Sequence, residues 1–132
     1  MIKPEDLRIG NYMKTDTGEI GKVSSIGYSN DGMPHIKMIP IKDDWKVNGF
    51  ELSRPAGIEL DHSWLLRLGF EPEKDFPNVY RLKKELKFSI YKKENGFTLL
   101  CSDIRVAFTS IHHLQNAYFG HTGQQLEILE IN

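Results

Sequence analysis

Apolar residues alternate with polar ones from Phe88 to Cys101, with Phe88, Ile90, Phe97, Leu99 and Cys101 in phase. A period of two is the mark of strands with one buried face. Asn95-Gly96 lies between the two runs and is a strong hairpin signal. With these two residues as the turn, Lys92 faces Leu99, Tyr91 faces Leu100 and Ile90 faces Cys101. Ile104, Val106 and Phe108 continue the alternation as a further strand. At Ser110 the period lengthens. Ile111, Leu114, Tyr118 and Phe119 fall on one side of a wheel drawn at about 100° per residue. Thr109 and Ser110 offer N-cap hydroxyls, and Gly120 and Gly123 supply backbone that ends helices. The spacing predicts a short helix of about three turns, then a closing strand from Leu126 to Ile131.

Upstream, Leu60 to Phe70 reads as another short helix, with Asp61 as N-cap and Gly69 at the C-terminal turn. Trp64, Leu65 and Leu68 share its buried face, and Phe70 folds back on Leu65. Glu71 to Asn78 carries two prolines and reads as a surface loop, and Val79 to Leu82 starts a strand. Before residue 58 the signals are short extended runs broken by turns. Asp16-Thr17-Gly18 and Ser29-Asn30-Asp31-Gly32 are the turns; Ile20, Val23 and Ile26 continue in extended fashion. Ile36, Met38 and Pro40 share one face of the next run, where the proline marks an edge or a strand end. Gly18 and Gly21 bracket a place where two backbones approach closely or a strand bends. Trp45 stands in the polar stretch Lys42 to Gly57, as a recognition residue or a lid on the local core.

Short strands with Gly-rich turns predict a small, bent antiparallel barrel over residues 1–57. The phrase running from Ile9 to Met13 and on through Gly18 to Ile26 resembles the opening of SH3-like barrels of the KOW and Tudor type. Residues 58–132 predict an antiparallel sheet carrying two short helices and a closing strand. The fold class is therefore α+β, an SH3-like subdomain packed with an α+β subdomain.

Composition narrows the function classes. The chain has 132 residues, 39% hydrophobic and 27% charged, the balance of an ordinary globular protein. Its net charge of −1, with signs interspersed, gives no strong footprint for nucleic acid or anionic membrane. One cysteine allows no intrachain disulfide and suits a reducing cytosol. No apolar run approaches the ~20 residues of a membrane span and no signal peptide is visible. The expectation is a cytoplasmic protein.

Candidate chemistry concentrates in Ser110 to Leu126, with His112, His113 and His121. Adjacent His112 and His113 splay on a helix and do not converge on one ion, so no metal or other cofactor is expected. Gln115 falls on the buried face and needs a backbone partner. His113 and Asn116 project to solvent, with His112 at the boundary. Those three and Trp45 are the candidate partner-binding residues; Gln115, Tyr118, Phe119, Gly123, Trp64 and Gly69 are structural. Cys101 reads as a small buried hydrophobe. No nucleophile elbow, P-loop or dinucleotide fingerprint is present, and no catalytic residue is assigned.

The chain as a whole resembles a family of small uncharacterised proteins of Bacteroidetes genomes, their prophages and phages. The resemblance rests on Leu7 to Tyr12, on Ile58 to Phe70, and on His112, Leu114, Gln115, Asn116, Tyr118, Phe119, Thr122, Gly123 and Leu126. His113, Ala117, Gly120, His121 and Gln124-Gln125 depart from the family phrase, so a histidine metal site is not a family property. The resemblance implies no activity. The expected function is a non-enzymatic protein-interaction or accessory module of phage or mobile-element origin, with an unknown protein partner. The alternatives are nucleic-acid binding through the SH3-like part and the lysines at 83, 84, 87, 92 and 93, and an enzyme using His112 or His121 as acid or base.

Overall fold

A computed structural model describes residues 6–15, 18–41, 50–52, 56–82, 88–101 and 104–128. The fold is α+β, with two antiparallel sheets and two short helices among these residues. The chain divides into two compact units, with the boundary between Ile58 and Glu59.

The first unit is a meander of β1 (Tyr12–Lys14), β2 (Ile20–Tyr28), β3 (Pro34–Pro40) and β4 (Phe50–Leu52), hydrogen-bonded in that order. Alternation decides what is buried: Ile36 and Met38 face inward and join Leu7, Met13 and Val23 in a core against which Ile26 packs. Pro40 ends its strand, where a missing N–H costs no ladder bond. At Gly21 β2 and β3 approach closely; a Cβ there would lie 3.1 Å from the Ile39 carbonyl oxygen. The ladder shifts register between Val23 and Ser25, and the Ser24 hydroxyl donates to the Lys37 carbonyl. At the N-terminal end Gly10, at φ 102°, donates to Val23, whose own N–H donates to Asn11. The fully buried Asn11 side chain accepts from the Arg8 N–H at 2.7 Å, so the Gly-Asn pair fixes the entry into β1. Lys14 and Ala56 exchange both backbone hydrogen bonds, which brings the chain after β4 back to β1.

The second unit begins with α1 (His62–Arg67). The Asp61 carboxylate accepts from the Trp64 N–H at 2.9 Å, and Gly69 at φ 99° ends the turn. Trp64, Leu65 and Leu68 are buried, and the Arg67 guanidinium lies 4.3 Å from the Trp64 ring centre. The helix is shorter than the sequence suggests, because Phe70, expected at its end, opens a strand, β5 (Phe70–Pro72), that runs into the stretch expected to be loop. A meander follows through β6 (Val79–Leu82), β7 (Phe88–Lys93), β8 (Gly96–Cys101) and β9 (Ile104–Phe108). The inner face carries Tyr80, Leu82, Phe88, Ile90, Phe97, Leu99 and Cys101.

The hairpin register differs from expectation by two residues. Lys93 pairs with Gly96 and Lys92 with Phe97, so the turn is Glu94-Asn95. The cause is tertiary: at φ 144° a Cβ on Gly96 would sit 2.9 Å from both the Phe108 carbonyl oxygen and the Thr109 methyl. Gly96 therefore serves the close approach to β9. A two-residue slip keeps every side chain on its face.

α2 (Ile111–Thr122) packs against β9 and runs through Gly120; Gly123, at φ 73°, stops it by donating to the Phe119 carbonyl at 2.8 Å. Tyr118 meets Phe88 with ring centres 5.1 Å apart. Burying a side chain such as Phe88 contributes about 1.5–3 kcal/mol. No strand is formed by the described residues after α2. Leu126 is buried there with its carbonyl held by the Gln115 amide at 2.9 Å, a side-chain bond in place of a ladder.

Candidate functional site

α2 was the expected seat of function, and its residues divide. His113 is exposed, and its Nδ1 lies 2.9 Å from the Ser110 hydroxyl, which is turned to that ring instead of capping the first turn. Asn116 is half-buried. His112 is not a boundary residue: it is 2% exposed, and the expectation that it meets a partner is corrected. The physical reason lies at the helix start, where Glu59 bridges to Ser110 and the Leu60 N–H donates to the Thr109 carbonyl, adding a chain segment beside the first turn. The buried arc of α2 is thereby wider than a stripe of four apolar residues. Gln115 and Tyr118 are buried, and Phe119 is half-buried. Trp45 lies outside the described residues, as do Lys83, Lys84 and Lys87.

The rings of His112 and His113 are 4.2 Å apart, and His121 lies against Phe88 at 6.4 Å. Among the described residues no set of three or more His, Cys, Asp or Glu side chains gathers as metal ligands.

Two other places are shaped to receive something. The first is an apolar groove of about 420 Å³ on the first unit. Register builds it: Tyr12 pairs with Lys22, and Lys22 pairs with Ile39, a row across three strands on the outer face. Tyr12 is buried and forms the floor, with the Lys22 ammonium 5.8 Å from its ring centre. Ile9 and Ile39 stand at the sides, 59% and 50% exposed. Ser24, Pro40 and Ile41 also line it, and Lys22 is the single charged residue of the lining among the described residues. One signal for this groove was present in the sequence: Ile39 is out of phase with Ile36 and Met38, so an apolar side chain had to face outward.

The second is a cleft of about 450 Å³ in the second unit, at the end where the β7–β8 turn meets the start of α1. His62 Nδ1 and the Tyr80 hydroxyl lie 2.7 Å apart there. Burial pushes the Tyr80 phenol above its ordinary value, and the tautomer of the imidazole sets which of the two groups donates in this bond. Where the hydroxyl is the donor, the ring proton is on Nε2. Lys92 shares the strand face of Ile90, which is paired with Tyr80, and so comes to the same cleft. His62 and Tyr80 are 18 positions apart, and no local pattern links them.

No helix among the described residues is long and apolar enough to cross a membrane. Comparison of the chain with protein-family models, curated proteins and solved structures gives no match.

Proposed function

We propose that the chain is a protein-interaction module whose first unit grips an apolar side chain of a partner segment that also carries a carboxylate. The carrying observation is the outer-face row Tyr12, Lys22 and Ile39 with Ile9 beside it. Two half-exposed isoleucines over a buried aromatic floor are what an apolar anchor fills, and desolvated anchors of this kind dominate binding energy. Lys22 in the lining selects an acidic neighbour to that anchor. The four-strand meander, its register shift at Ser24 and the Lys14–Ala56 bridge support reading this unit as SH3-like, an architecture that presents such grooves. The likeness of the closing motif to phage and prophage proteins adds an accessory role in a mobile element to the proposal. Nucleic acid has less support, since the described lysines of the hairpin, Lys92 and Lys93, stand beside Glu94.

A random-peptide display selection against the whole chain tests this reading. Enriched peptides are expected to pair an aliphatic or aromatic residue with Asp or Glu, to be lost on Ile39→Glu, and to switch to basic neighbours on Lys22→Glu. Ile39 is exposed, so its variant keeps the core intact, which circular dichroism checks. Absence of enrichment, or peptides still bound by Ile39→Glu, would overturn the reading. A dimer in sedimentation that Ile39→Glu abolishes would also overturn it, by giving the groove to a second copy.

A further inference from the structure

The cleft of the second unit has a lining of both charge signs, carboxylates from Glu59, Asp61 and Glu94 and ammonium groups from Lys92 and Lys93. We infer that it binds a small zwitterion, an amino acid with an apolar side chain, whose carboxylate meets Lys92 and His62 and whose ammonium meets the rim carboxylates. This inference is independent of the groove on the first unit.

Size comes first. About 450 Å³ falls in the range of roughly 300–1,000 Å³ that small-ligand sites occupy. Charge then selects the ligand. Among the described lining residues, a lone anion would meet three carboxylates against two ammonium groups, and a lone cation would meet the lysines. A ligand bearing both signs answers both. Among the described residues no ion pair joins these charges to one another, and Asp61 uses one oxygen as the cap of α1. Glu59 and Glu94 are therefore the carboxylates available to an ammonium. The apolar part of the ligand is met by Leu60 and Phe97, both buried in the cleft wall.

Tyr80 is a positioning residue. A buried phenol needs a hydrogen-bond partner, and here the partner is an imidazole ring at the cleft edge. The bond engages Nδ1 and holds the His62 ring, so Nε2 is the nitrogen left to meet a carboxylate beside the Lys92 ammonium.

The test is an amide-resonance titration of the full chain with L-phenylalanine and L-leucine. Beside them are run L-phenylalanine amide, which lacks the carboxylate, N-acetyl-L-phenylalanine, which lacks the ammonium, and inorganic phosphate. The zwitterions are expected to shift His62, Lys92 and Asn95, and each truncated probe to bind about three- to tenfold more weakly. Lys92→Ala, at an exposed position, should weaken the zwitterions by a similar factor and leave the amide unaffected. Tyr80→Phe should weaken only the carboxylate-bearing probes and shift the imidazole nitrogen resonances of His62 toward a mixture of tautomers. No shift at the cleft, equal binding of all the phenylalanine probes, or a response to phosphate alone would overturn the inference.

Discussion

Gln115 reaches the Leu126 carbonyl through its side-chain amide at 2.9 Å, with both residues fully buried. This bond ties the chain after α2 back to the helix and replaces a strand ladder there. Gln115→Leu keeps the volume and leaves the carbonyl without that donor. The expected cost is about 1–3 kcal/mol of unfolding free energy, read from the urea midpoint at unchanged slope. A variant as stable as the parent would show that Leu126 is held by packing alone.

Gly96 is the second fixed point. Its positive φ and the 2.9 Å approach of Phe108 and Thr109 leave no room for a Cβ. Gly96→Ala should lower stability by about 1–3 kcal/mol, seen as a fall in Tm, because either the hairpin end or β9 must move. Gly18→Ala makes a useful comparison: it shares a positive φ of 89°, but a Cβ there meets nothing within 4 Å. Its loss should be smaller.

The same glycine shows what was legible in the chain. Alternation from Phe88 to Cys101 carried the faces, which survive a slip of two residues. The turn itself obeyed β9, a neighbour that the local Asn-Gly signal does not contain. Likewise the wheel for α2 placed Ile111, Leu114, Gln115, Tyr118 and Phe119 on the buried side, where Phe119 is only half-buried, and placed His112 at the boundary. The segment at Glu59 and Leu60, some fifty positions upstream, pairs with the helix start and lies outside any wheel. The cleft was hidden for the same reason: His62 reads as the first residue of a helix and Tyr80 as a strand residue. The groove was half legible, through the phase of Ile39.

The turn at Ser29 to Met33 makes a prediction about titration. The Ser29 hydroxyl donates to the Asp31 carboxylate, and the Met33 N–H donates to it as well, which together hold Asp31 below its ordinary value of 3.8. The folded carboxyl thus loses its proton at lower pH than the unfolded one. The turn's contribution is complete above the ordinary value and is lost as pH falls through the folded one. Carboxyl-carbon resonances should give Asp31 a midpoint lower than ordinary, and Ser29→Ala should raise it. An unchanged midpoint in Ser29→Ala would remove the hydroxyl as the cause.

Tyr80 gives the opposite sign at the other end of the scale. Burial raises its phenol above the ordinary value of 10.0, so in the interval between that value and the folded one the native chain holds a proton that the unfolded chain has released. Stability must fall as pH rises through this interval, and below it the term vanishes because both states are protonated. Tyr80→Phe removes the titrating group together with its bond to His62. At neutral pH the variant should be less stable by about 0.5–1.5 kcal/mol, the net worth of one such bond. Above pH 10 the gap should narrow, since the parent alone must keep a phenol protonated against solution. Other tyrosines and lysines titrate in the same range, so the quantity to follow is the difference between parent and variant urea midpoints from neutral pH to about pH 11. A difference that stays constant across that range would mean that the Tyr80 hydroxyl reaches water.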